Sequence, residues 1–180
     1  MTKIILFFGG FAGDLITALH DFDSLVRLTE HGKIDLHEEK ILLQAEKTQA
    51  IMTSDQKTDY LERHKVISCC DTKFAFKHRN STKVITCENK EMAKFYCDRY
   101  FYYHPQLKSA DDYYKKFQEW QTFWPDKFPH KVDISNMFTN ENFLVDLGIE
   151  ITQEKIALFT KWKELNQTVF SNHRDSLYQD

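Results

Sequence analysis

Three glycines fall close together near the start of the chain, in the run Phe8-Gly9-Gly10-Phe11-Ala12-Gly13-Asp14-Leu15. Glycine lets a backbone turn sharply and approach an anion, and the N–H groups at a helix start add donors and partial positive charge. The chemistry on offer is anion binding, with Thr17 as the nearby hydroxyl. The same glycines equally suit a tight strand-to-helix turn with no ligand, and a short glycine cluster does not separate the two readings. A loop built to hydrolyse a nucleoside triphosphate continues with Lys and then Ser or Thr after its last glycine. Here Asp14 and Leu15 hold those places. Asp14 can support a helix start, but its charge repels a nearby phosphate. ATP or GTP hydrolysis is therefore not expected.

Asp71 is the next candidate. It ends an apolar run and is placed to face the same cleft as the glycine loop, where a carboxylate can serve as general base on an acceptor hydroxyl. Capping the next helix together with Thr72 is its other reading. The cysteines Cys69, Cys70, Cys87 and Cys97 read as buried thiols. Cys69 and Cys70 are adjacent and point to opposite faces of a strand, which suits neither a disulfide framework nor a zinc knuckle. Cys70 is the best placed of them for reactivity, with His64 and Lys73 near in sequence. The eight histidines include no pair at metal-ligand spacing, so no metal is expected.

The elements that must position these residues follow from periodicity. Lys3–Phe8 reads as a strand buried on both faces. Leu15, Leu19, Phe22 and Val26 then predict a helix from Asp14 to near Gly32. Asp35 with Glu38 predicts a capped second helix through Leu42, Leu43 and Ala45, and a third helix spans about Ser54 to His64. Val66–Cys70 and Lys83–Cys87 are strands, with a short helical or irregular connection over Lys73–Ser81. Lys90–Tyr103 is a helix, and Ser109 with Asp112 caps another that runs to Phe123. Lys131–Ile134 is a fourth strand. Asn140–Leu147, stopped by Gly148, and Thr152–Phe170 complete the helices. Strands joined by helical crossovers predict a single α/β domain over residues 1–180. Its expected form is a three-layer α/β/α sandwich around a small, mainly parallel sheet of about four to five strands.

Composition narrows the function classes. Hydrophobic residues are 42% and charged residues 28% of the 180, with a net charge of -3. That balance gives no global attraction for nucleic acid or an anionic membrane. The run Ile4–Phe8 is too short for a signal-peptide core or a bilayer span, so a cytoplasmic protein is expected. Residues 95–124 interleave aromatics with Lys94, Arg99, Lys115 and Lys116. Such a pattern can stack single-stranded bases. Asp98, Asp111, Asp112 and Glu119 dilute any phosphate track, which favours core packing together with a partner or homo-oligomer surface.

With these elements placed, the chain resembles the sulfotransferase-like branch of the P-loop fold, in particular its short, divergent phage and marine bacterial members. Three stretches carry the resemblance: KIILFFGGFAGDLITAL, KVITCENKEMAKFYCDRYFYYHP, and VDISNMF through to KWKELN. It implies the donor 3′-phosphoadenosine-5′-phosphosulfate and transfer to an unknown hydroxyl acceptor. Gly9, Gly10, Phe11, Ala12, Gly13, Asp14 and Thr17 would hold the 5′ end, and Asn89 with Lys90 the 3′-phosphate. Anchored on Asn89, the family's Arg becomes Glu88 and its Ser falls near Tyr96. Lys90, Lys94 and Arg99 are the substitute cations, or else solvated surface charges. The family's His after the second strand is absent from Ser68-Cys69-Cys70-Asp71-Thr72, which leaves Asp71 as the base. The alternative function is a binding or interaction module in which catalysis has lapsed.

Overall fold

The apolar run at the start of the chain does form a strand, and it becomes the centre of the sheet. In a computed structural model, β1 (Ile4–Leu6) is paired on both sides by parallel strands. The structure describes residues 4–22, 27–30, 33–35, 41–42, 56, 62, 65–104, 106–107 and 109–177. After β1 come α1 (Gly13–His20), β2 (Arg27–Leu28), β3 (Ile34–Asp35), β4 (Ile41–Leu42) and β5 (Ile67–Cys69). Next are α2 (Thr72–Lys77), a 3-10 turn, β6 (Thr82–Thr86), α3 (Lys90–Tyr103) and α4 (Ala110–Phe123). A second 3-10 turn, β7 (His130–Asp133), α5 (Phe143–Asp146) and α6 (Gln153–Leu177) complete the order.

The main sheet has five strands in the order β4-β5-β1-β6-β7, every neighbouring pair parallel. Pleating divides its side chains between two cores. Ile4 and Leu6 pack with Ile67, Cys69, Val84, Phe128 and the α2 residues Phe74 and Ala75. Ile5 and Ile85 face the other way, toward Leu15 and Ile16 of α1, Phe143 of α5 and Trp162 of α6. Helices therefore cover both faces of a small parallel sheet, as alternating strands and helices require.

Local chemistry explains where most helices begin and end. Asp71 accepts from the N–H groups of Lys73 and Phe74, both at 3.0 Å, and so starts α2. Ser109 accepts from Asp112 N–H at 3.0 Å and starts α4. Gly148, at φ 69°, stops α5. Its N–H donates to Val145 O at 2.8 Å while Ile149 N–H donates to Leu144 O at 3.0 Å, the paired closure of a left-handed helix end.

Two expectations are corrected near the N-terminus. The first helix does not run on toward Gly32; it ends at His20, where Asp21 leaves helical geometry at φ -132° and ψ 68°. Leu15 and Leu19 are buried but Phe22 is 37% exposed, so the apolar stripe loses its core before the sequence period does. Downstream, Arg27 pairs with Asp35 and Leu28 with Ile34 in an antiparallel hairpin. Asp35 is thus a strand residue, and Leu42 lies in β4, not in a second helix. Residues 36–40 and 43–45 of that expected helix, and most of the third one over 54–64, lie outside the described residues.

Candidate ligand cleft at the glycine loop

In an open parallel sheet, a crevice opens at the carboxyl ends of neighbouring strands whose connections leave in opposite directions. From β1 the chain crosses to β4 on one side, and from β6 it crosses to β7 on the other. The residues that follow these two strands are the glycine loop, 7–12, and the segment 87–89. The topology alone brings the first and second sequence motifs to one end of the sheet.

The loop leaves β1 through Phe7, whose N–H still bonds Cys69 O at 3.1 Å, and turns where Phe11 N–H donates to Phe8 O at 3.1 Å. Gly10 sits at φ 84° and Ala12 at φ 55°, both in the left-handed region. That conformation costs a residue with a Cβ about 1–2 kcal/mol. Space is as restrictive as torsion. A Cβ on Gly9 would meet Tyr113 Oη at 2.5 Å, and one on Gly10 would meet Tyr100 Cβ at 2.6 Å and Tyr96 O at 2.9 Å. On Gly13 it would lie 2.0 Å from the Phe7 ring. Tyr100 and Tyr113 stack at 4.7 Å against the loop, and Tyr113 Oη donates to Gly9 O at 3.1 Å. Gly9 and Gly10 are thus explained by the close approach of α3 and α4, and Gly13 by the Phe7 ring of the loop itself.

Beside the loop lies a cleft of about 270 Å³ whose wall includes Gly9, Gly10, Ala12, Gly13 and Asp14. Arg99, Tyr103, Trp162, Lys33, Cys70 and His104 also line it. Arg99 decides the character of this site. It is only 8% exposed, although its long charged side chain favours solvent. Its Nε donates to Asn166 Oδ1, its Nη1 to Gly10 O at 3.4 Å, and its guanidinium lies over Tyr103 at 5.3 Å and Trp162 at 5.5 Å. Burial lowers its pKa, while Tyr103, Tyr96 and Asp14 oppose that shift. A guanidinium remains charged through such a change. The cleft therefore carries a fixed cation facing the start of α1, with Asp14 as a nearby negative charge.

Nucleophilic or general-base groups are poorly provided here. Burial, then the neighbouring Cys69 and Asp14, push the Cys70 thiol far above its ordinary value. Burial likewise raises Tyr100 and Tyr113. His104 is lowered by burial and by the charge of Lys33. The hydroxyl of Thr17 is turned into its own helix, donating to Gly13 O at 2.9 Å, and the residue is fully buried. Phe11 is also buried, stacked on Phe117 at 4.1 Å. Asp71 is outside the cleft wall, with Oδ1 holding the start of α2.

Asn89 and Lys90 belong to a different place. The Asn89 side chain accepts from Glu91 N–H at 2.9 Å and Met92 N–H at 3.1 Å, closing the start of α3. Its own N–H donates to Ser135 Oγ at 2.8 Å, and Glu88 N–H donates to Asp133 Oδ1 at 3.1 Å. All these donors are thus engaged by the chain itself. Lys90 is exposed and borders a separate depression of about 270 Å³ with Glu88, Cys87 and Gln121. Tyr96, near which the family's Ser would fall, is wholly buried.

Of the candidate cations on α3, Lys90 and Lys94 are exposed while Arg99 is not, which corrects the solvated reading for Arg99. A signal for it was present in the sequence. Met92, Phe95, Tyr96, Arg99, Tyr100 and Tyr103 recur at steps of three and one, so the arginine lies on the aromatic stripe of its helix. Trp162 and Asn166 had no comparable signal, because only tertiary packing brings α6 to the cleft. Among the described residues, no group of three or more His, Cys, Asp or Glu could hold a metal ion, and no helix is long and apolar enough to cross a membrane. No protein-family model, no curated protein and no solved structure matches the chain.

Proposed function

We propose that the protein is a binding module for a phosphorylated nucleotide, seated in the glycine-loop cleft, and that it uses the sulfotransferase-like arrangement without its group transfer. The observation that carries this reading is the buried, aromatic-flanked Arg99, which lines one cleft together with Gly9, Gly10 and Gly13 and bonds Gly10 O. A helix start and a guanidinium favour a phosphate, and the half-buried Tyr103 offers a surface against which a base can stack. The cleft, at about 270 Å³, lies just below the roughly 300–1,000 Å³ of most ligand pockets. A mononucleotide is thus the upper limit of size. The 3′-phosphoadenosine-5′-phosphosulfate type of ligand remains within this proposal through its 5′ end. Its 3′-phosphate would compete with Asp133, Ser135 and Asn89 for the amides around the start of α3.

The test is calorimetry with adenosine 5′-monophosphate, 3′-phosphoadenosine-5′-phosphate, ATP and sulfate. Saturable binding of the monophosphate, with no gain from the 3′-phosphate, supports the module. Absence of binding by every one of them at millimolar concentration sinks it. A transfer reading, with Asp71 as base on a hydroxyl acceptor, requires instead that the bisphosphate bind more tightly and that sulfuryl transfer be measurable and lost in Asp71→Asn.

A further inference from the structure

A second concentration of positive charge lies at the other end of the sheet. α1 runs away from the glycine loop and ends in His20, and Lys83 lies at the start of β6. Together with Lys65, Lys155, Gly148 and Glu150 they border a cavity of about 370 Å³. Three lysines thus face one carboxylate. Among the described residues none of the three makes an ion pair. Lys83 Nζ donates to Leu147 O at 2.9 Å and Lys155 Nζ to Glu150 O at 3.0 Å. These bonds hold the ammonium groups in position with uncharged acceptors, and each ammonium has further donors. Lys155 is only 8% exposed.

The second observation is His20. Its Nε2 is buried and has no hydrogen-bond partner, a condition that buried polar atoms seldom keep without a ligand or water. Burial first, then the charges of Lys83, Lys155 and Lys65, hold its pKa down at about 4. An unpaired imidazole beside uncompensated ammonium groups is the environment that a bound dianion would relieve, by accepting from the lysines and from protonated His20 together.

We infer that this cavity is an anion site for a phosphate group, distinct from the glycine-loop cleft, formed by His20, Lys65, Lys83 and Lys155. Its volume exceeds what a lone ion needs, so the expected ligand is a small phosphate monoester. The probes are inorganic phosphate and ribose 5-phosphate, titrated into the full chain at fixed ionic strength while the ring signals of His20 are followed by NMR. Saturable movement of those signals is expected, with the His20 pKa raised by the bound anion. Tighter binding of ribose 5-phosphate assigns the monoester as ligand, and equal binding assigns the free ion.

Lys65→Met and Lys83→Met should each weaken binding by about tenfold, the effect of losing one charge-assisted hydrogen bond. Lys33→Ala, in the other cleft, should leave it unchanged. If Lys83→Met fails to fold, the exposed Lys65 still provides the measurement. Ring signals that stay fixed, or that move equally with chloride, overturn the inference. So does an unchanged binding constant in Lys65→Met.

Discussion

Two strand-to-helix turns at the same end of the sheet have opposite chemistry. After β6, the amides around the start of α3 are engaged by Asn89, Ser135 and Asp133. After β1, α1 starts from Ala12 with no side-chain cap and with Ala12 itself left-handed. Both turns answer the same need, since the first N–H groups of a helix lack internal partners. One meets it from within the chain, and the other presents its backbone to a cleft with a buried arginine. Neighbouring helix starts in one sheet are therefore not equivalent, and the difference lies in whether a side chain caps them.

The sharpest way to break this comparison is Gly10→Ala. It combines a left-handed backbone with a Cβ 2.6 Å from Tyr100 Cβ, and should cost about 3 kcal/mol of stability in urea titration. Unchanged stability would mean that the aromatic cover over the loop is not formed. Asn89→Ala should cost about 1 kcal/mol, the usual loss on removing a helix cap. Nucleotide binding should be untouched by it, and a large loss of affinity would move the site to α3.

Asp14→Asn should divide two observables. Stability should fall by about 0.5 kcal/mol as a favourable charge leaves the first turn, while affinity for adenosine 5′-monophosphate rises severalfold. Parallel falls in both would show that the carboxylate helps the ligand. The smallest effect is expected from Ala12→Gly, which should stabilise by about 0.5 kcal/mol through relief of the left-handed strain, less the added chain entropy. A loss in thermal or urea unfolding would contradict the strained geometry.

A pH titration adds a contrast from the far end of the sheet. His20 is held at about 4 against 6.5 in an unfolded chain. Between those values the unfolded state binds the extra proton, so stability rises with pH across that window and falls on acidification through it. His20→Gln should flatten this dependence, and an unchanged profile would place the acid sensitivity elsewhere.

Much of this was readable from local sequence. The bounds of α3 and the Ser109–Asp112 cap were fixed by residues within one turn of each other, where spacing and contact coincide. The parallel sheet followed from apolar runs separated by helical crossovers. The hairpin of β2 and β3 was not readable, because two-residue strands carry no period, the stripe from Leu15 to Val26 pointed to a longer helix, and Asp35 with Glu38 fitted a helix cap. Nor was the closed state of α3, since Ser135 and Asp133 lie more than forty residues beyond the amides they engage. Arg99 stood in between. Its place on the aromatic stripe signalled burial, while its partners on α6 could be found only in the folded chain.

The partnership of Arg99 with Asn166 spans 67 residues of sequence, and it gives the cleft a place in time. α1 can form early from nearby residues, but the glycine loop is covered only when α3 and α4 arrive, 89 to 104 residues on, and the cleft is complete only when the final helix docks. Contacts so distant in sequence close late, after much of the chain is already ordered. A ligand that recognises the finished cleft would then find little of its site in the folding transition state. It should slow unfolding while leaving the folding rate almost unchanged, so that occupancy would be registered mainly as persistence of the folded chain.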